Sequence, residues 1–362
     1  MLVEGAIVDA DGARSGYVRF LRGEVVEVGA RGTASVHGRG RRLRGIVVPA
    51  PVNGHTHLAD GVSVREPPPG PVAALVASPS GYKFRLLAES SAARKAASIR
   101  AGLREMIRDG VGATLDFREE GLAGVQQFRE AARGLPIRGF VFGRPLRRPI
   151  DPAELRAVLR AADGIGLSSA REEDDQSRRA VARACRAAGR RYGLHASEAV
   201  REPTDRYLDP RPDLLVHLAK ASRGDLLAVR DAGVSVAVCA RSNALFGRQP
   251  PLQTMERLGL RVLLGTDNAM FHPPSIWAEL QFAYGASRLV RRPVSAGFLA
   301  RAALVEPWRW LGLPERAAVA PGMPGRPLVL RLPPEDPEYQ VVTRTTEQLI
   351  VRGPPRPARP PR

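Results

Sequence analysis

Two histidines separated by one residue end an apolar segment, His55 and His57 in PVNGHTH. Side chains at positions i and i+2 of a strand face the same side, so both imidazoles can reach one cation. Three further polar residues follow apolar runs: His195 in RYGLHAS, His217 in DLLVHLA and Asp267 in RVLLGTDN. Imidazole nitrogens and a carboxylate are suitable ligands for Zn²⁺ or Fe²⁺, and a catalytic site of this type keeps one position open for water.

Each of these signals is weak alone, because an HxH pair arises by chance and a single histidine after a strand is more often structural. Their joint occurrence favours a metal site, since three predicted strands carry four of the six histidines at or near their carboxyl ends. In a (β/α)8 barrel the carboxyl ends of the strands form the catalytic face. We therefore expect these residues to converge on one cation.

The elements that must position them alternate between strands and helices. A strand is predicted at 111–117, and amphipathic helices are predicted at 87–108 and in DPAELRAVLRAAD, which has an Asp-Pro start. The other strands are predicted in GIVVPAPVNGHTH, IRGFVFG, GIGLSS, RYGLHAS, DLLVHLA, VSVAVCARSN and RVLLGTDN. Such alternation predicts a parallel sheet, and eight strands predict closure into a barrel. The fold class is α/β, with a (β/α)8 TIM barrel over 46–322.

The two ends of the chain have a different pattern. Residues 1–45 form short alternating strands with glycines between them, and PLVLRLP, YQVVTRTT and QLIVRG near the C-terminus also favour strands. We predict that 1–45 and 323–352 pair into one small β-sandwich module. Residues 353–362, GPPRPARPPR, are expected to be a disordered basic tail.

These motifs together resemble the amidohydrolase superfamily. The resemblance rests on PVNGHTH, the strand-end His195 and His217, and GTD at 265–267. It is strongest to the branch of cytosine deaminases, chlorohydrolases and S-adenosylhomocysteine deaminases, because CARSNALFG is similar to the Cys-Pro-x-Ser-Asn run of that branch. Ala240 replaces the proline here, which is a small departure.

The resemblance implies one divalent metal ion, Zn²⁺ or Fe²⁺, held by His55, His57, His195 and Asp267. His217 would hydrogen-bond the attacking water or the substrate, and a direct ligand role for it stays open. Relatives with two metals need a carbamylated lysine on strand four. Strand four is GIGLSS, and none of the three lysines lies near it.

Glu198 follows His195 by three residues, a spacing at which deaminases of this branch carry a glutamate. The implied reaction is deamination of a purine, pterin, pyrimidine or nucleoside-like ring, in which metal-bound hydroxide attacks the amine-bearing carbon. Glu198 would carry protons to the ring nitrogen and the leaving amine. Asp267 is a second candidate acceptor for the proton of water. The alternative for Glu198 is a solvated acid at a helix start.

Residues beside the strand ends are candidate substrate contacts. Arg118 and Arg241 could hold a carboxylate or phosphate, although a structural arginine is the default in so arginine-rich a chain. Lys83, a rare lysine, lies in a long segment at 60–86 that could cover the site. The full set of predicted contacts is Asp116, Arg118, Glu119, Arg241, Asn243 and His272.

Composition limits the remaining possibilities. The chain has 362 residues and a net charge of +18, and all but three of its 55 basic residues are arginine. No apolar run is long enough to cross a membrane, and the N-terminus lacks the pattern of a signal peptide. Two cysteines outside any CxxC pair favour buried free thiols in the cytoplasm. A homodimer is expected only by analogy with relatives.

Two other functions compete with deamination. One is hydrolysis of a ring amide or another leaving group on a heterocycle, as in imidazolonepropionases and chlorohydrolases. The other is nucleic-acid binding through the basic cluster at 39–44 and the tail, which we disfavour because aromatic platforms and recognised binding motifs are missing. The expected partner is therefore a small heterocyclic substrate. The net charge could attract an anionic one, although a solvated surface of biased composition is the simpler explanation of that charge.

Overall fold

The N-terminal residues form four strands of a small mixed sheet. A computed structural model of the chain describes residues 1–30, 32, 41–77, 80–171, 173–290 and 293–351. Strands β1 to β4 span Leu2–Asp9, Gly12–Leu21, Glu24–Gly29 and Arg42–Val48. β1 pairs antiparallel with β2 and parallel with β4. Val3, Ile7, Val18 and Val47 pack together in this sheet, away from the larger core.

The following strands form a curled parallel sheet. Strands β5 to β13 span Val52–His57, Ala113–Arg118, Arg138–Gly143, Gly164–Leu167, Arg191–Ala196, Leu214–His217, Ser235–Val238, Val262–Leu264 and Asp267–Asn268. Their spatial order follows the chain from β5 to β12, with β13 on the other side of β5. The predicted α/β alternation is confirmed, and the curled sheet is consistent with the predicted TIM barrel.

The last predicted barrel strand is divided into β12 and β13. The residues between the two pieces bond to strands at opposite ends of the sheet order. Gly265 N donates to Val238 O at 2.9 Å, on the β11 side, whereas Thr266 N donates to His55 O at 3.0 Å, on the β5 side. The amide of Asn53 donates to Thr266 Oγ1 at 2.8 Å. The segment between β12 and β13 therefore bonds to both ends of the sheet order, and it places Asp267 beside β5.

Helices connect the strands and cover the sheet. Helices α1 to α7 span Val72–Val76, Tyr82–Glu89, Ala92–Arg108, Gly121–Ala132, Pro152–Ala161, Asp175–Ala187 and Thr204–Leu208. Helices α8 to α14 span Arg223–Asp231, Ala240–Leu245, Leu252–Leu258, Ile276–Ser287, Ala296–Leu304, Glu306–Trp310 and Pro337–Arg344. Short 3-10 helices lie at Leu58–Val62, Pro314–Arg316 and Glu347–Leu349.

The C-terminal residues complete the small sheet. Strands β14 and β15 span Leu328–Leu330 and Ile350–Val351, and β14 pairs antiparallel with β4. Both ends of the chain thus share one six-stranded sheet in the order β15-β14-β4-β1-β2-β3. The described residues of these segments form this single sheet and not the second sheet that a sandwich requires. The predicted tail at 353–362 lies outside the described residues.

Two local predictions were wrong. YQVVTRTT is mostly helix α14, because Pro337 starts a helix whose Val341 and Val342 are buried. Its end is fixed to α11 by Gln281 Nε2, which donates to Thr345 O at 2.9 Å. The predicted helix 87–108 is divided, since Ser91 caps α3 by accepting from Arg94 N. Propensity favoured strand or continuous helix there, and packing and capping decided otherwise.

Other expectations were met. Cys185 and Cys239 are free and buried. Within the described ranges, no helix is both long and apolar enough to cross a membrane.

Candidate metal centre and cavity

A cavity of about 410 Å³ is lined by residues that directly follow the strands of the curled sheet. Three imidazoles and a carboxylate meet at its base. His195 Nε2 lies 3.2 Å from His55 Nε2 and 3.4 Å from His57 Nε2. Asp267 Oδ1 lies 3.4 Å from His55 Nε2 and 3.7 Å from His57 Nε2. The structure therefore brings together four residues from β5, β9 and β13 that the sequence predicts as ligands.

The geometry and protonation of this cluster fit a small divalent cation. Ligands of a tetrahedral zinc with Zn–N bonds of 2.0–2.1 Å lie about 3.3 Å apart. Burial lowers the pKa of His55 and His195, and it lowers the pKa of His57 to about 3. Neutral imidazoles have a lone pair to donate. His195 Nδ1 lies 2.8 Å from Leu167 O, so the proton belongs on Nδ1 and the lone pair on Nε2.

The carboxylate of Asp267 is ionised despite its burial. Burial alone would raise its pKa, but the contact with His55 and the neighbouring imidazoles hold the pKa well below its ordinary value. Ser242 Oγ donates to Oδ2. Oδ1 therefore faces the imidazoles while Oδ2 is held from the other side. Three neutral nitrogens and one carboxylate oxygen suit Zn²⁺ or Fe²⁺.

His217 lies next to the cluster in a different tautomer. The amide nitrogen of Asn243 lies 3.2 Å from His217 Nδ1 and can only donate, so Nδ1 accepts and Nε2 carries the proton. His217 Nε2 lies 3.7 Å from Glu198 Oε1. A ring nitrogen of His217 is also within 4.8 Å of those of His55 and His195, so His217 is a further candidate ligand at this cluster.

Glu198 lines the cavity beside His217. Burial raises the pKa of its carboxyl group above the ordinary value, against the opposing effect of His217. A carboxyl group with a raised pKa releases and regains its proton more readily near the working pH, as a general acid–base group must. The pair of Glu198 and His217 thus supplies an acid–base group and a donor on the same wall of the cavity.

The backbone around these residues is strained. Four non-glycine residues at the strand ends have φ in the left-handed region: Ser197 at 47°, His217 at 75°, Leu218 at 49° and Asp267 at 61°. Such residues cost about 1–3 kcal/mol each and cluster where a side chain must be aimed at a functional site. The strain supports a functional role for this end of the sheet.

Comparison with known proteins identifies the family. A model described as "Amidohydrolase family" matches residues 46–204. A protein of Methanothermobacter thermautotrophicus named "Putative aminohydrolase" is 32% identical over 332 residues, which cover 85% of this chain and 86% of that protein. The chain belongs to the amidohydrolase family.

Solved structures share the amidohydrolase fold of this chain. An adenosine deaminase from Xanthomonas campestris with bound zinc aligns with a TM-score of 0.78 at 17% identity, covering 96% of this chain and 90% of that chain. An atrazine chlorohydrolase from Arthrobacter aurescens, complexed with zinc, aligns with a TM-score of 0.76 at 18% identity, covering 98% and 94%. At these identities the likeness shows the fold.

Two predicted substrate contacts of this amidohydrolase lie inside the protein. Asp116 Oδ2 accepts from Leu58 N at 2.8 Å and from Thr56 Oγ1 at 3.0 Å. The buried guanidinium of Arg118 bonds Asp116 at 3.1 Å and Glu119 at 2.9 Å. Neither Asp116 nor Arg118 lines the cavity. The structure thus gives them a positioning role.

Glu119 does line the cavity, and it is held by several partners. Its Oε1 lies 3.1 Å from His57 Nδ1, but the ring is not aligned to donate a linear hydrogen bond. Lys83 Nζ donates to the same oxygen at 2.7 Å. Burial would raise the pKa of Glu119, but Lys83 and His57 hold it well below the ordinary value.

The three predicted contacts further along the chain do not line the cavity either. The side chain of Arg241 bonds Glu279 Oε2 at 2.7 Å and two backbone carbonyls. These bonds give Arg241 a structural role. Asn243 orients His217, as described above. His272 Nε2 is buried without a hydrogen-bond partner, and burial lowers its pKa. The structure does not bring Arg241 or His272 to the substrate side.

Sequence reasoning missed several residues that do line the cavity. Arg144 and two aromatic rings, Phe246 and Phe271, lie on its wall. The two rings are 5.5 Å apart in an edge-to-face arrangement. Asp60, which accepts from Asn268 Nδ2 at 2.8 Å, lies just behind it. Among the cavity residues outside the predicted set of contacts, Lys83 alone had a recognisable sequence signal, because it is one of three lysines in an arginine-rich chain.

We expect Gly265→Ala to destabilise this amidohydrolase by about 1–3 kcal/mol, the usual range for overpacking. A Cβ at Gly265 would lie 2.6 Å from His55 N and 2.7 Å from His55 Cβ, so β5 would have to move. Denaturant unfolding measures the change. The control is Gly285→Ala in α11, where a Cβ meets no atom within 4 Å and helix propensity favours alanine. Equal stability of the two variants would contradict this prediction.

Proposed function

We propose that this amidohydrolase is a mononuclear metal-dependent aminohydrolase that deaminates a nitrogen heterocycle. One observation carries the proposal: Glu198 Oε1 and His217 Nε2, 3.7 Å apart, share a cavity wall with His57, His195 and Asp267. An acid–base carboxyl group, a hydrogen-bond donor and a set of metal ligands are the components that hydrolytic removal of an amine requires. That zinc accompanies both aligned structures agrees with the proposed cation.

The proposed metal ligands and Glu198 have different roles in the reaction. A divalent cation held by His55, His57, His195 and Asp267 would act as a Lewis acid and lower the pKa of a water toward 7. Glu198 takes a proton from that water at a carboxylate oxygen and delivers it to the ring nitrogen. Glu198 then accepts the proton of the hydroxyl group that has added to the ring carbon and delivers it to the amine, so that the C–N bond breaks, a carbonyl forms and ammonia leaves.

The donor and the ligand carboxylate complete the arrangement. His217 donates a hydrogen bond from Nε2 to the oxygen that adds to the substrate carbon, and Asn243 orients the ring through Nδ1. Ser242 holds Oδ2 of Asp267 and thereby aims Oδ1 at the imidazoles. Asp267 is a second acceptor for the proton of water only if Oδ2 accepts a further hydrogen bond beside that of Ser242.

The cavity wall supports a ring substrate with an anionic substituent. Phe246 and Phe271 offer apolar surface for a planar ring. Arg144 is 9% exposed and lines the cavity, and no side-chain hydrogen bond or ion pair holds it among the described residues. Its guanidinium lies over the ring of Phe84, 5.0 Å from the centroid. A buried cation without a counter-ion is costly, so we propose that a carboxylate or phosphate of the substrate pairs with Arg144.

Arg144→Ala is expected to lower kcat/KM for an anionic substrate by about 10- to 100-fold, since a hydrogen bond to a charged group contributes about 1.5–3 kcal/mol. The same ring without the anionic group should be affected little. Steady-state kinetics on the two compounds measures the difference. Arg138→Ala is a matched control, because Arg138 is an exposed arginine at the opposite end of β7. Equal losses on both compounds would rule out the anion pairing.

An ammonia-release screen tests the function itself. Zinc- or iron-loaded protein is assayed against purines, nucleosides, pterins, pyrimidines and triazines, with and without anionic substituents. Deamination predicts ammonia and a product in which oxygen replaces the amine, identified by mass spectrometry. A ring-opened acid without ammonia, or release of chloride from a chlorinated triazine as the sole reaction, would reject deamination.

A further inference from the structure

A second cluster of metal-type ligands lies behind the first. His57 Nδ1 and carboxylate oxygens of Asp60 and Glu119 lie within 4.8 Å of one another, and all three residues are buried. They come from three separate elements: the end of β5, the 3-10 helix Leu58–Val62 and the segment after β6. His57 belongs to both clusters, with Nε2 facing the first and Nδ1 facing the second.

The second cluster already contains a positive charge. Lys83 is 5% exposed, and its Nζ lies 2.7 Å from Glu119 Oε1 and 3.0 Å from Asp60 Oδ2. It enters from α2, which lies in the segment after the first barrel strand. The ammonium group is therefore bonded to both carboxylates that a cation at this position would contact.

The buried carboxylates around this position require the positive charge of the Lys83 ammonium. Three buried carboxylates, Asp60, Asp116 and Glu119, face one guanidinium, that of Arg118, which bonds Asp116 and Glu119. Without Lys83, the described part of the chain would leave Asp60 with only a neutral donor, the amide of Asn268. A buried carboxylate that loses its counter-ion is strongly destabilised.

We propose that the Lys83 ammonium occupies a second cation position formed by His57 Nδ1, Asp60 and Glu119, and thereby restricts the amidohydrolase to one metal ion. This inference rests on the proposed mononuclear centre. A lysine is suited to the role because its ammonium is a compact point charge with three donors.

Lys83→Met tests the proposal, since methionine keeps an unbranched side chain and removes the charge. After equilibration with Zn²⁺ and gel filtration, wild type is expected to hold one zinc per chain and Lys83→Met two. Lys83→Arg, which keeps a charge, should stay at one. Lys95→Met is the matched control, because Lys95 is also buried and pairs with Glu120 away from the cluster; it should hold one zinc.

The outcomes separate this inference from the proposed function. One zinc in wild type and one in Lys83→Met overturns the inference and leaves the proposed centre intact. A wild type that binds no zinc, iron or other divalent ion rejects the centre itself. If Lys83→Met is unfolded without metal, recovery of its cooperative melting above one equivalent of zinc supports the inference, and failure to fold at any zinc concentration overturns it.

Discussion

Glu198→Gln is expected to lower kcat by about 10²- to 10⁴-fold, the contribution that a positioned general acid–base group makes. Glutamine has nearly the same shape as glutamate, but its amide cannot accept and release a proton. Because burial raises the pKa of Glu198, the carboxylate form is lost as pH falls through that raised value. Wild-type activity should therefore decline on the acidic side, and the variant should lack that limb. Stopped-assay measurement of ammonia across pH gives both results.

Zinc content distinguishes a lost proton carrier from a damaged site. Glu198 is not among the four ligands, so the variant should retain one zinc per chain by mass spectrometry. Glu130→Gln provides a control for the chemical change, since Glu130 is an exposed glutamate of α4. A zinc-containing Glu198→Gln protein with the wild-type rate would exclude Glu198 as the proton carrier and leave His217 and Asp267 as the remaining candidates.

The sequence was sufficient to predict the convergence of the metal-type cluster, for a topological reason. His55 and Asp267 are separated by more than two hundred residues, yet each follows an apolar segment that the sequence predicts as a strand of a parallel sheet. Parallel strands place their carboxyl ends on one side, so residues at those ends meet whatever their separation along the chain. The division of the last predicted strand into β12 and β13 was not predictable, but it changes only the exact position of Asp267 beside β5.

The roles of the arginines could not be predicted in this way. Whether an arginine meets a substrate or an internal carboxylate depends on which side chain packs opposite it, and no local pattern encodes that choice. Arg241 bonds Glu279, a residue of α11 that is 38 positions away. Arg144, which does line the cavity, lies in an ordinary RPLRR run. Charge alone therefore could not show which arginine lines the cavity.

Removal of the proposed cation is expected to lower both the activity and the Tm of the protein, an effect second in size to that of Glu198→Gln. In the metal-free protein three neutral imidazoles would direct their lone pairs at one another across 3.2–3.4 Å, an arrangement that is unfavourable without a shared cation. A ligand present at 100 times its Kd stabilises the native state by about 2.7 kcal/mol. Chelation should therefore lower the Tm and abolish ammonia release, and one equivalent of zinc should restore both.

His55→Ala locates the cation responsible for that response. His55 is fully buried and contacts both His195 and Asp267, so its loss removes the ligand at the centre of the cluster. The variant should bind zinc weakly, show no rise in Tm on zinc addition and lack activity. His272→Ala, which removes a partly buried histidine away from the cavity lining, should respond to zinc like wild type. A zinc-dependent rise in Tm of equal size in His55→Ala would place the cation elsewhere, and the proposed chemistry would then have no centre around which to operate.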